Sequence, residues 1–187
     1  MQTETSLSTK LAANKAGFAS RVAPERVAMM EGATAKLKET GIEFCAKKAG
    51  DNAPSVNLPS AKGDMVSLEC LWKKGSVVAI FYRGGWCPYC NLELRAWQKQ
   101  LPELTSLGAT LVAISPQIPD NSLSTAEKNE LAFPVLSDSS MVAADGRASG
   151  LAGEPGRAAP STTGRVWAFV FAFAARCDRA DGRPGIG

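Results

Sequence analysis

Residues 76–90 read SVVAIFYRGGWCPYC, and this stretch decides the fold. Its first seven residues form a continuous apolar run rich in β-branched side chains, which is typical of a strand buried on both faces of a sheet. Arg83, Gly84 and Gly85 end that run. From Pro88 onward, apolar residues recur every three or four positions, which predicts an amphipathic helix with a proline in its first turn. These apolar residues are Cys90, Leu94, Trp97, Leu101 and Leu104.

Two more strands are predicted after this helix. Residues 109–115 (ATLVAIS) form a second buried apolar run, and residues 134–136 (PVL), closed by Ser137 and Asp138, form a third. Between them, residues 124–131 (STAEKNEL) predict a short helix with a Ser/Thr start. Strands and helices that alternate in this way build a parallel sheet with right-handed crossovers. The sequence therefore predicts an α/β domain over residues 49–140.

A helical extension is predicted ahead of this domain, in residues 1–48. One apolar stripe runs through its first half, a second begins after Pro24, and Gly41 is the expected end. The stripes consist of Leu7, Leu11, Ala12 and Phe18, and of Val27, Met30, Ala33 and Leu37. We expect the extension to pack on the domain, and an arm that binds a partner is the alternative.

A β-hairpin is predicted between this extension and the first buried strand. Pro54, Pro59 and the Gly63-Asp64 pair bound short extended runs there. Prolines and a Gly-Asp pair at such spacing are typical of turns between strands.

The composition changes after Met141. More than half of residues 141–187 are Ala, Gly, Arg or Pro, and none is Lys, although Lys is common in residues 1–140. This tail is either a genuine Gly/Pro-rich terminal segment or the product of a frameshift in the coding sequence. In the second case the sheet would lack its closing strands, and we would expect low solubility.

Charge and hydropathy exclude several classes of function. The net charge of +3, with no basic cluster, does not support binding to nucleic acid or to an anionic membrane. The longest apolar stretch, residues 166–175, is half the ~20 residues that span a bilayer. The N-terminus lacks the basic start and apolar run of a signal peptide. We therefore expect a cytoplasmic protein with neither nucleic acid nor membrane as a partner.

Five cysteines and no histidine narrow the chemistry. An odd number of cysteines without a secretory signal argues against a disulfide framework. A zinc site would need a second Cys/His pair beside Cys87 and Cys90, so we expect no metal and no cofactor. We interpret Cys45, Cys70 and Cys177 as inert apolar fillers. A distant resolving cysteine at position 45 or 70 is the alternative.

The position of the CPYC motif favours thiol redox chemistry. The free N–H groups and partial positive charge of a helix N-terminus stabilise a thiolate at Cys87 or Cys90. One helical turn separates the two sulfurs, which is close enough for a disulfide. Pro88 stiffens the loop and withholds an amide donor, while Trp86 and Tyr89 are expected to wall the site with flat apolar surfaces. These features meet the requirements of thiol–disulfide exchange.

The segments around this motif resemble the alkyl hydroperoxide reductase/thiol-specific antioxidant (AhpC/TSA) superfamily. The resemblance rests on GDNAP, NLPSAKGDMVSL, VVAIFYRGGWCPYCNLELRAWQ, GATLVAISPQ and FPVLSD, all between residues 50 and 138. It is closest to the peroxiredoxin-like branch with an RGxWCPYC site, and it fails from about residue 145 onward. It implies a thioredoxin-like fold of three layers, in which a central mixed sheet carries helices on both faces.

The Pro-x-x-x-Thr-x-x-Cys motif of ordinary peroxiredoxins implies roles for several residues. Laid on this chain, it puts the peroxidatic cysteine at Cys90 and the family's glutamate at Glu93. Cys87 then takes the Thr position and Arg83 the Pro position. The resemblance implies that Cys87 resolves a sulfenic acid on Cys90 through an intramolecular disulfide. The activating arginine is expected on a later strand, where Arg165 is the candidate, and Arg83 is the alternative source of positive charge.

The activity implied by the resemblance is that of a thiol-specific peroxidase. Its substrates would be hydrogen peroxide and organic hydroperoxides, and its reductant would be thioredoxin or another thiol donor. The resemblance leaves open whether the chain forms a homodimer. Similarity to thioredoxin reverses the order of the cysteines, with Cys87 as the exposed nucleophile and Cys90 as the shielded resolver. On that basis a thiol–disulfide oxidoreductase is a second hypothesis. A non-enzymatic redox-sensing module on the same fold is a third.

Overall fold

The computed structural model describes residues 5–41 and 53–144, and the backbone of residues 169–173. The helices and strands of these residues, in chain order, are α1 (Leu7–Arg21), α2 (Pro24–Glu39), β1 (Asn57–Pro59), β2 (Met65–Ser67), α3 (Leu68–Trp72), β3 (Val77–Phe81), α4 (Pro88–Ser106), β4 (Thr110–Ser115), α5 (Pro119–Lys128), β5 (Val135–Ser137) and β6 (Phe169–Phe173).

A four-stranded mixed sheet in the order β5-β4-β3-β6 forms the centre of the fold. β3, β4 and β5 are parallel, as the alternation of strands and helices predicts, and β6 pairs antiparallel with β3. The pairing of β3 with β6 runs from Val77 opposite Phe173 to Phe81 opposite Phe169. The tail after residue 141 therefore contributes a strand to the sheet.

Both faces of β3 are buried, which explains why residues 76–82 are apolar without alternation. Ile80 and the following Tyr82 face the side of the sheet that is covered by α4, where Leu94 is fully buried. Val77 and Ala79 face the opposite side. There the antiparallel hairpin of β1 and β2, predicted from its turn residues, and the short helix α3 complete the core through Val56, Leu58 and Leu68.

The two N-terminal helices form as predicted but differ in burial. α1 contacts α4, whereas no residue of α2 is buried. Met29 and Met30 of α2 are 72% and 47% exposed. In the predicted apolar stripe Met30 and Ala33 are exposed, whereas Val27 and Leu37 are half-buried. α2 ends next to Gly41, which has the left-handed φ of 65° that favours glycine at a helix end.

The predicted bounds of the helix after β4 are wrong. It was expected at residues 124–131, but α5 begins at Pro119 and ends at Lys128. Pro119 occupies the first helical position, where its missing N–H costs nothing, and Asp120 places a negative charge in the first turn. The end comes early because Glu130 has a left-handed φ of 52°, which a continuing helix cannot accommodate.

Helix α3 was not predicted. Residues 65–72 suggest only the second strand of the hairpin, yet the hydroxyl of Ser67 accepts the N–H of Cys70 at 3.3 Å and caps a single helical turn. α3 places Leu68 in the core and leaves Cys70 exposed. The interpretation of Cys70 as an apolar filler is therefore wrong, because its side chain faces outward from this turn.

Candidate dithiol active site

The loop that joins β3 to α4 passes very close to its neighbours, and two glycines make this possible. A Cβ at Gly84, where φ is +154°, would lie 2.5 Å from the Trp86 indole nitrogen and 3.0 Å from the Gln117 side chain. A Cβ at Gly85 would overlap the hydroxyl of Thr125 on α5. Gly85 therefore lets the loop lie directly against α5, and Gly84 lets it lie close to Trp86 and Gln117, where a larger residue would not fit.

This loop delivers Cys87 to the N-cap position of α4. The Cys87 N–H donates to the Gly84 carbonyl at 3.0 Å, which closes a turn, and the Cys87 carbonyl accepts the Asn91 N–H at 3.1 Å. Pro88 is the first helical residue, and it is exposed. Cys90 follows one turn along. Cys87 and Cys90 are both free thiols, and each is 2% exposed.

The pKa of Cys87 is lowered from its ordinary value of 9.0 to about 6. The largest cause is a hydrogen bond from the Cys90 thiol, which favours the Cys87 thiolate. The backbone N–H groups of Cys90 and Tyr89 and the positive charge of Arg83 act in the same direction, while burial opposes them. These amides face the sulfur without the distance or alignment of a capping hydrogen bond. Their influence is therefore that of nearby dipoles.

The pKa of Cys90 moves in the opposite direction. It is raised first by the hydrogen bond with Cys87 and then by burial, while the backbone N–H and the guanidinium of Arg83 oppose the rise. These opposite shifts favour the thiolate at Cys87 and the thiol at Cys90, which is the order suggested by the similarity to thioredoxin.

Arg83 and Trp86 form a stacked pair at the mouth of this loop. The guanidinium carbon of Arg83 lies 4.6 Å from the centroid of the Trp86 ring, and Trp86 is 64% exposed. Tyr89 is instead half-buried and packs on the core beneath α4. The two aromatic side chains predicted to wall the site therefore lie in different environments. Tyr89 faces the core, whereas Trp86 lies largely in solvent beneath the Arg83 guanidinium.

Glu93 lies on α4, one turn after Cys90, and is half-buried. Burial raises the pKa of its carboxyl, and a hydrogen bond with the Trp97 side chain opposes that rise. Arg165, the candidate activating arginine, lies outside the described residues, as do Cys45 and Cys177. Among the described residues, Arg83 is the cation that acts on both cysteines of the pair.

A network of side-chain amides around Gly85 was not predicted from the sequence. Gln117 accepts the Gly85 N–H at 2.8 Å, and Asn91 donates to the Gly85 carbonyl at 2.8 Å. Asn129 in turn donates to the Asn91 oxygen at 2.8 Å. The sequence offers one signal for this network, which is that Asn91 directly follows CPYC. A polar residue there is equally compatible with an exposed helix position, so the signal does not predict the network.

No group of three or more His, Cys, Asp or Glu side chains converges on a metal-sized space within residues 5–41 and 53–144. Across the same part of the chain, no helix has the length and apolar character needed to cross a membrane.

The sheet, its helices and the two thiols at the start of α4 define a class by fold, that of the thioredoxin-like proteins. The sequence model of the AhpC/TSA family matches residues 49–159, more than half of the chain, and the chain belongs to that family. The predicted resemblance to the AhpC/TSA superfamily is thereby confirmed, while the RGxWCPYC branch stays a prediction. The predicted thioredoxin-like fold is confirmed by the similar solved structure described below.

Particular relatives agree with this assignment. Rv2521 of Mycobacterium tuberculosis strain H37Rv, a protein assigned to the peroxiredoxins, is 34% identical over 89 residues, which are 48% of this chain and 56% of the relative. Peroxiredoxin Bcp of Escherichia coli K12 is 33% identical over 91 residues, 49% of this chain and 58% of Bcp. The match therefore spans a little over half the length of each relative.

A solved structure with a similar fold is the peroxidoxin BcpB from Mycobacterium tuberculosis. It superposes with a TM-score of 0.52 at 28% identity and covers 54% of this chain and 66% of BcpB.

Proposed function

We propose that this chain is a thiol peroxidase that reduces hydrogen peroxide and organic hydroperoxides at Cys87 and Cys90. The observation that carries the proposal is the placement of two free thiols one turn apart at the start of α4, with Cys87 at the N-cap, where Cys90 and Arg83 lower its pKa. Membership of the AhpC/TSA family, and relatives that carry peroxiredoxin names, support peroxide as the substrate.

In this mechanism the Cys87 thiolate attacks one oxygen of the peroxide, and the O–O bond breaks. Cys87 becomes a sulfenic acid, and the leaving oxygen takes a proton to give water or an alcohol. Cys90 keeps its proton at this stage, because its pKa is raised. Its sulfur then attacks Cys87, water leaves, and a Cys87–Cys90 disulfide forms. The electrostatics thus support Cys87 as the attacking sulfur, the reverse of the order implied by the peroxiredoxin motif.

Arg83 has a second task in this scheme. Its guanidinium lies close enough to lower the pKa of both cysteines. Positive charge at that place also stabilises the negative charge that develops on the leaving oxygen of the peroxide. Stacking on Trp86 limits the positions the guanidinium can take.

The cycle closes when an external dithiol, thioredoxin or another thiol donor, reduces the disulfide. A reducing compartment such as the cytoplasm supplies that donor. The same thiolate-and-thiol pair also suits thiol–disulfide exchange, in which Cys87 attacks a substrate disulfide directly. A thiol–disulfide oxidoreductase is therefore the second candidate function.

The degree of thiol ionisation sets the rate of reaction with peroxide that any low-pKa thiol would reach, and a peroxidase must exceed that rate. At pH 7 a thiol of pKa about 6 is roughly 30-fold more ionised than a free thiol of pKa ~8.5, but its lower basicity reduces nucleophilicity about tenfold. Ionisation alone therefore accelerates the reaction with peroxide only about threefold over a free thiol.

The test is the rate at which stoichiometric hydrogen peroxide oxidises the reduced protein, measured by stopped-flow tryptophan fluorescence. A rate constant more than about 100-fold above that of free cysteine requires stabilisation of the leaving oxygen and supports the peroxidase. A rate within a few-fold of free cysteine rejects it. Rapid reduction of insulin or glutathione disulfide by the same preparation would then support the second candidate.

A further inference from the structure

Cys87 is the last residue of a tight turn, and the second residue of this turn, Gly85, is hydrogen-bonded through both its N–H and its carbonyl. The turn runs from Gly84, whose carbonyl accepts the Cys87 N–H at 3.0 Å, and Gly85 is the first of its two central residues. Gln117, between β4 and α5, accepts the Gly85 N–H at 2.8 Å. Asn91, in the first turn of α4, donates to the Gly85 carbonyl at 2.8 Å. Both the N–H and the carbonyl of Gly85 are thus hydrogen-bonded to side chains.

A second amide fixes the direction of the first. Asn91 is 6% exposed, and its oxygen accepts the side-chain N–H₂ of Asn129 at 2.8 Å. The nitrogen of Asn91 is therefore the atom that faces Gly85. The same group of Asn129 donates to the Thr125 carbonyl at 3.0 Å. A flipped Asn129 would set its oxygen against two acceptors, so only one orientation is compatible with the network.

This orientation has an energetic cost, because the Asn129 oxygen is left buried without a hydrogen-bond partner among the described residues. A buried oxygen without a hydrogen bond opposes folding. The hydrogen bonds of the network all converge on the dithiol loop. The network connects α5, α4 and the β4–α5 loop to a single residue, two positions before Cys87.

We propose that Gln117, Asn91 and Asn129 are positioning residues for the dithiol, because they hold the turn that places Cys87 at the N-terminus of α4. They act through the backbone of Gly85 and need not touch a substrate. Without Gln117 the Gly85 N–H loses its acceptor, and the turn can rotate away from the amides and from the Cys90 thiol that stabilise the Cys87 thiolate. The inference rests on the proposed function only in giving Cys87 its role in the reaction.

A matched pair of glutamines makes this testable. Gln98, on α4, is half-buried like Gln117 and accepts the N–H of Ala132 at 2.8 Å, away from the dithiol loop. Gln117→Met and Gln98→Met each remove one acceptor from one backbone N–H and keep the length of the side chain. The measurement is the pH profile of iodoacetamide alkylation at Cys87, resolved by tandem mass spectrometry, with thermal unfolding followed in parallel.

Both variants are expected to unfold at similarly lowered temperatures. Gln117→Met should also shift the midpoint of Cys87 alkylation upward by about one pH unit, while Gln98→Met keeps the wild-type midpoint. If Gln117→Met does not fold, Gln117→Ser serves the same test, since serine is too short to reach Gly85.

Two results would overturn the inference: an unshifted midpoint in the folded Gln117 variant, or equal shifts in both variants, which would reflect general loosening. The proposed function can fail separately. A slow reaction of the wild type with peroxide, alongside a shift confined to Gln117→Met, would reject the peroxidase and leave the positioning role of Gln117 established.

Discussion

At the scale of single residues, Arg83 is the charged side chain that lowers the pKa of both cysteines. We expect Arg83→Gln to raise the pKa of Cys87 by roughly 0.5–1, because a partly exposed charge acts through solvent and salt. Measuring the thiolate absorbance at 240 nm against pH reports this directly. Arg95→Gln, on the exposed side of α4, removes the same charge and should leave the titration unchanged. Equal titrations for wild type and Arg83→Gln would exclude Arg83 as a source of activation.

The Cys87 thiolate also predicts how stability depends on pH. Its folded pKa of about 6 lies below the ordinary value of 9.0, so between these values the unfolded chain binds the extra proton. The free energy of unfolding of the reduced protein should therefore rise by roughly 1–3 kcal/mol from pH 6 to pH 8.5 through this group. The contribution is lost as the pH falls through 6. The pKa of Cys90 is raised in the folded protein, so its contribution to the free energy of unfolding is complete at lower pH and declines only as the pH rises above 9.

Urea unfolding at several pH values under reducing conditions measures this dependence. Cys87→Ser should lack that part of the slope, and the disulfide form should lack it as well, since neither has the thiolate. A slope that survives in Cys87→Ser would assign the dependence to other groups.

At the scale of elements, the contact between the dithiol loop and α5 depends on Gly85. Gly85→Ala would drive a methyl group into the Thr125 hydroxyl and should destabilise the protein by about 1–3 kcal/mol. Thr125→Ala removes that hydroxyl, so the double variant should be more stable than the sum of the single effects predicts. Gly32→Ala is the control, because a Cβ on α2 meets nothing within 4 Å and should be neutral or stabilising. Strict additivity of the two changes would contradict this contact.

The sequence predicts helices and strands well where a long apolar pattern is buried in the core. β3, β4 and the start of α4 follow from continuous apolar runs and a proline at the first helical position, since these signals are local. The start of α5 could not be found this way, because its first turn is polar and a Ser/Thr pair farther along offers a false start. The Gly85 network was equally hidden, because Gln117 and Asn129 reach the loop only through the tertiary fold.

At the scale of the whole molecule, β6 covers the edge of β3. Truncation after residue 159 keeps every residue matched by the family model but removes β6. The apolar strand β3 would then present unpaired backbone groups, a template for association between chains. We expect the truncated protein to unfold at a lower temperature than the full chain and to form larger oligomers than the full chain in light scattering. A monomeric truncated protein of unchanged stability would contradict the role assigned to β6.

The most direct measurement is sulfenic acid trapping after one equivalent of hydrogen peroxide, with the modified residue located by mass spectrometry. In Cys90→Ser, a sulfenic acid should form on Cys87 within the dead time of hand mixing and persist, because its resolving partner is gone. In the wild type it should be replaced by a Cys87–Cys90 disulfide, and Cys87→Ser should react far more slowly. No trapped sulfenic acid in Cys90→Ser, with oxidation as slow as that of free cysteine, would contradict a peroxidase that attacks through Cys87.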